Sequence, residues 1–92
     1  LSNQACKWIG SFKKLTHLSL RRSNLSDEGL RELRGLRSLQ NLNLTETELT
    51  DSGADFLVRM TNLKNLYLWQ SGISEKKCEL LRSQLKGVEV TP

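Results

Sequence analysis

The apolar positions of this chain repeat in columns. Leucines recur at Leu15, Leu39 and Leu63, at Leu18, Leu42 and Leu66, and at Leu20, Leu44 and Leu68, with a 24-residue period that runs without a gap. A further column reads Leu25, Leu49 and Ile73. A fixed period of this length marks a stack of equivalent units, each too small to bury its own apolar face. Stretches such as Leu18-Ser19-Leu20 and Leu66-Tyr67-Leu68 alternate apolar and polar side chains. That alternation puts the leucines on one face of a short strand and Ser19, Asn43 and Tyr67 on the other. Because every copy runs in the same direction, parallel strands are predicted near residues 17–21, 41–45 and 65–69.

Between the strands the pattern becomes helical. Leu30, Leu33 and Leu36, and Ala54, Leu57 and Met60, hold a three-residue spacing that turns an apolar stripe toward the sheet. Ser2, Ser26, Thr50 and Ser74 stand where a hydroxyl caps a helix start, and Asp27, Glu28, Asp51 and Glu75 suit its positive first turn. Helices are therefore predicted near 3–12, 27–36, 51–60 and 75–85. Cys6, Ile9 and Phe12 lie 24 residues before Leu30, Leu33 and Leu36, so the chain begins inside a repeat. One domain over 1–92 then divides into a partial repeat or helical cap at 1–14, full repeats at 15–38, 39–62 and 63–86, and an edge strand and tail at 87–92. In that tail, after Leu85, the chain is expected to leave the register for a brief Val88-Glu89-Val90 segment.

Three gapless copies of L-x-x-L-x-L-x-x-N/C-x-L, with Ser23, Thr47 and Ser71 at the asparagine or cysteine position, resemble the leucine-rich-repeat family. Stretches such as NLTETELTDSGA and LRRSNLSDEGL are similar to its short bacterial repeats. The resemblance implies an α/β, ribonuclease-inhibitor-like, right-handed solenoid with a parallel sheet on the concave side and helices on the convex side. It also implies that Ser23, Thr47 and Ser71 replace the family's asparagine ladder by bonding to backbone in adjacent coils. The tail LYLWQSGIS resembles a closing repeat, and the chain is expected to be a fragment or the C-terminal part of a longer array. Some such arrays are joined to haem domains; with no CxxCH in the chain, haem is not carried over.

Chemistry changes this picture little. No apolar run approaches the ~20 residues of a membrane span. Cys6 and Cys78 share one column three coils apart, roughly 15 Å by strand spacing, so they are expected to be free core thiols. Cysteine usage therefore leaves the compartment open. The single histidine, His17, stands two residues from Ser19 on one strand face, too far for an ordinary Ser–His hydrogen bond, and no third triad member is evident. No metal, nucleotide or other cofactor motif is present, and a non-catalytic role is expected.

Recognition has better support. Stacking places His17, Asn41 and Asn65 in one exposed column, Ser19, Asn43 and Tyr67 in the next, and Arg21, Thr45 and Trp69 in a third, flanked by Arg22, Glu46 and Gln70. One edge is basic and the other aromatic, the mix enriched at interface hot spots. A protein partner bound on this face is the leading reading. Tyr67 and Trp69 alternatively cover the end of the array, and Arg22 alternatively pairs only with Glu46. Trp8, Phe12 and Phe56 are expected in core or cap positions. A purely structural segment of a longer array remains an alternative function. So does weak single-stranded nucleic-acid binding, which Glu46 opposes. Finally, net charge is +4, and residues 1–46 carry all of the excess, with eight cations against four carboxylates. The open 15–21 strand edge is expected to be occupied by upstream repeats or a second chain.

Overall fold

Each leucine triplet pulls a short strand onto the core. The computed structural model describes residues 1–92. Its elements are α1 (Asn3–Gly10), β1 (His17–Ser19), α2 (Asp27–Leu33), β2 (Asn41–Asn43), α3 (Ala54–Leu57), β3 (Asn65–Tyr67), α4 (Glu75–Gln84) and β4 (Glu89–Thr91). The four strands form one parallel sheet in the order β1-β2-β3-β4. Its inner side and the helices enclose Leu30, Leu33, Leu36, Leu42, Leu57, Leu66 and Leu81 without solvent contact or nearly so. Every strand-to-strand return passes through a helical segment, as parallel pairing requires.

Strand geometry spans three residues rather than the five expected, yet interstrand bonding continues past it. Leu20 N–H donates to Asn43 O and Arg22 N–H to Thr45 O, both at 2.9 Å. Leu44 N–H donates to Tyr67 O at 2.9 Å and Glu46 N–H to Trp69 O at 2.8 Å. The chain leaves the sheet through Arg22, Glu46 and Gln70, which hold φ of 55°, 55° and 50°. This left-handed conformation costs a side-chain-bearing residue roughly 1–2 kcal/mol. For Arg22 and Glu46 the ladder bond made by the same residue's N–H offsets it. Gly72, at φ 96°, sits so close to Leu49 O that an added Cβ has no room.

The helical segments are shorter than predicted, most of all α3. Gly53, Ala54, Asp55 and Phe56 each donate to the carbonyl three residues earlier, and Met60 does the same to Leu57. A three-residue apolar spacing matches this tighter turn, with its 3.0 residues per turn, better than a continuous α-helix. Ser2 and Ser74 cap as expected, accepting from Ala5 N–H at 3.1 Å and Lys77 N–H at 3.2 Å. Ser26 makes no side-chain cap, and α3 starts after Gly53 rather than Thr50.

Thr50 serves a contact between repeats instead. The Asp27 carboxylate accepts from the Thr50 N–H at 3.0 Å and from its hydroxyl. Asp51 repeats the clasp with Ser74, accepting from N–H at 2.7 Å and hydroxyl at 2.8 Å. Gly53 lacks a Cβ where the Asp27 carboxylate lies. The serine and threonine column departs from expectation in the other direction. Ser23 and Thr47 hydroxyls donate to Leu20 O and Leu44 O within their own repeats, at 2.6 and 2.9 Å. Only Thr47 also reaches the adjacent repeat, at Ser71 O, 3.4 Å away. These hydroxyls satisfy the turn that follows each strand, where the carbonyls lie nearest.

Two further expectations fail. The chain does not leave the repeat register after Leu85: Asn65, Leu66 and Tyr67 pair with Glu89, Val90 and Thr91, 24 residues on in each case. Val90 is the apolar side chain that this strand buries. Trp8 and Phe12 are not core residues but lie exposed at the α1 end of the molecule, whereas Phe56 packs partly against the core. Cys6 and Cys78 are free and buried, and burial is the main cause that pushes both thiols above their ordinary range.

Candidate recognition face

Register converts the repeat columns into rows of neighbours. His17, Asn41, Asn65 and Glu89 stand side by side across the sheet, as do Ser19, Asn43, Tyr67 and Thr91. Their side chains lie on the side opposite the buried Leu42 and Leu66, by the alternation of a strand. Glu89 and Thr91 were missed by the sequence reading, which took the chain out of register. The signal was the 24-residue step from Leu66 to Val90.

A hollow of about 270 Å³ opens here, lined by His17, Ser19, Asn41, Asn43 and Tyr67 with Leu18 and Leu42 at its floor. Five of the ten residues singled out by pattern thus share one depression. Arg21, Arg22, Thr45, Asn65 and Trp69 do not line it. Asn65 lies one strand over from Asn41, and Arg21, Thr45 and Trp69 lie past the strand ends. Tyr67 is 37% exposed and Trp69 53%.

Several polar groups on this face are already engaged. Thr16 Oγ1 and His17 Nδ1 lie in hydrogen-bond contact at 3.0 Å, which orients the ring. Asn43 Oδ1 accepts from Thr45 N–H at 3.1 Å, closing a local turn. Arg22 Nε meets Glu46 Oε1 at 3.4 Å in an exposed pair worth ~0–1 kcal/mol. Asn41 Oδ1 is buried and makes no hydrogen bond. An acceptor in that state carries a desolvation cost of about 1–3 kcal/mol.

A leucine-rich-repeat family model matches residues 13–33 and 35–58. Over these two segments the chain is similar to leucine-rich repeats. The match falls mostly within the first two full copies, and in the third Leu63, Leu66 and Leu68 continue the same leucine columns. No curated protein matches the chain as a relative. Leucine-rich repeats generally mediate protein–protein interaction and are generally non-catalytic. No group of three or more His, Cys, Asp or Glu comes together as metal ligands would, and no helix is long and apolar enough to cross a membrane.

Proposed function

We propose that this is a protein-recognition module of the short bacterial repeat type, folded as one domain, with the outer side of the sheet as its binding face. The observation that carries the reading is an open hollow lined in part by the exposed Tyr67, with the exposed Trp69 two residues further along the chain, past the strand end. An apolar ring with a polar tip gives a partner large rigid contact area at low entropic cost. His17, Ser19, Asn41, Asn43 and Asn65 supply orienting hydrogen-bond groups, Arg21 and Arg22 charge, and Thr45 a small rim.

The second element of the proposal is the β1 edge. Leu15, Leu18 and Leu20 are only half-buried, unlike their fully buried counterparts Leu39, Leu42 and Leu44. A further repeat packed in parallel is the cover these side chains fit, because each repeat in the array covers the next in the same way.

Affinity capture with wild-type protein and with Tyr67→Ala and Trp69→Ala tests the binding face. Each substitution is expected to weaken a captured partner by about 2 kcal/mol or more while the melting temperature stays unchanged. Retained capture with a lowered melting temperature would instead assign the two rings to covering the sheet.

A further inference from the structure

The sequence places all of the positive excess in residues 1–46, and the structure gathers much of it at one rim. Where α1, α2 and α3 have ended and the chain turns back toward the strands, two hollows adjoin. One, of about 340 Å³, is lined by Lys13, Gly35 and Arg37. The other, of about 460 Å³, is lined by Arg34, Gly35, Arg37 and Arg59. They share Gly35 and Arg37, and no carboxylate lines either. Setting these four cations aside leaves ten Lys and Arg against ten Asp and Glu, so the cluster is equal to the whole net charge of +4.

Two of the four are held in place. Lys13 Nζ donates to Gly10 O at 3.0 Å, and Arg34 Nη1 to Arg31 O at 3.0 Å, both at carbonyls that close a helix. Such capping would account for these two on its own. It does not account for Arg37 and Arg59, whose side chains make no hydrogen bond or ion pair, although the molecule's ion pairs occur at Arg22–Glu46 and Lys77–Asp55. The four come from three successive repeats, so no single helix end explains their convergence. Gly35 forms the floor: an added Cβ would meet only the Lys13 ammonium, at 3.0 Å.

We propose that this rim is an anion site for a ligand carrying two or more linked phosphate groups, separate from the sheet face. A planar guanidinium presents paired donors that match tetrahedral phosphate oxygens, and three of the four cations are arginines. Two hollows joined at Arg37 suit two neighbouring anionic groups. A single carboxylate would leave most of the charge uncompensated.

Inorganic tripolyphosphate, titrated into the full chain at low salt and followed by amide NMR shifts, tests the site. Saturable shifts confined to Lys13, Arg34, Gly35, Arg37 and Arg59 are expected, with orthophosphate at least about tenfold weaker. Arg37→Gln and Arg59→Gln should each weaken tripolyphosphate by about tenfold, and Gly35→Leu should do so without removing charge. Lys76→Gln and Lys86→Gln should leave it within about twofold. A single-stranded RNA oligonucleotide that displaces tripolyphosphate from the same amides identifies a nucleic-acid backbone as the source of the phosphates, and failure to displace it identifies a free oligophosphate. Shifts spread evenly over all basic residues, equal binding of orthophosphate, or indifference to the three rim substitutions in folded protein would overturn the proposal.

Discussion

At one edge of the sheet β1 leaves Leu18 half-buried, while at the other β4 holds Val90 at 5% exposure, although each strand has a single neighbour. The difference lies in what the preceding helix offers. Arg82, near the end of α4, folds back so that its Nε donates to Val90 O at 3.2 Å. Its counterpart three repeats earlier is Gly10, spent instead on a close approach of α1 to the Glu32 carbonyl of α2. Trp8 and Phe12, at 66% and 59% exposure, lie on that same open end. Equivalent leucine columns therefore do not make equivalent ends. At the β4 edge a side chain of the preceding helix bonds to the strand, whereas α1 makes no such bond to β1.

The largest test of this contrast is a pair of truncations. Leu66→Ala, in the middle of the sheet, should cost about 3–5 kcal/mol by urea unfolding, and Leu18→Ala about 1–2 kcal/mol, since less apolar area returns to water. Equal costs would show that the β1 end is covered in solution.

A smaller effect is expected from Arg82→Ala. Losing its bond to Val90 should cost about 0.5–1.5 kcal/mol and speed exchange of the Leu68 amide, which donates to Thr91 O in β4. Unchanged exchange at Leu68 would mean that Val90 alone holds the strand.

The least effect is the acid response of the clasps. Asp51 has its carboxyl held below the ordinary carboxylate range, chiefly by the Ser74 backbone N–H, then by the Ser74 hydroxyl and the nearby Lys77 charge. A carboxyl depressed on folding stabilises the protein above its ordinary pKa, and that stability is lost as pH falls through the folded value. Asp51→Asn should lower the melting temperature near pH ~7 and converge with wild type as the pH falls through the folded carboxyl's depressed value. At the other end the same column carries Asn3, which gives its amide to Glu28 at 3.0 Å and has no carboxylate to titrate. Parallel melting curves for Asp51→Asn and wild type across the range would remove the clasp from the account.

Much of this architecture is legible because burial acts on columns. A leucine every 24 residues specifies which strand lies beside which and with what pairing, and His17 against Asn41 against Asn65 follows from counting alone. The columns of the sheet face were legible for the same reason. Reading failed at β4, where Gly87 and Pro92 break two of three leucine columns and only Val90 continues the third. It failed again at Thr50, whose residue type suits both a helix cap and a clasp, and at Trp8, which lies exposed although Phe56, two repeats later in the same column, packs partly against the core.

What the sequence by itself determined is the period, the direction of the three leucine-bearing strands and the leucine face, because these depend only on which residues recur and at what interval. The left-handed turns at Arg22, Glu46 and Gln70, the carboxylate clasps and the meeting of Lys13, Arg34, Arg37 and Arg59 were decided only in the folded molecule. Each depends on backbone torsions in the connecting loops, which set where side chains from neighbouring repeats come to rest. A period constrains the spacing of residues along the chain, but not the path the chain takes between them.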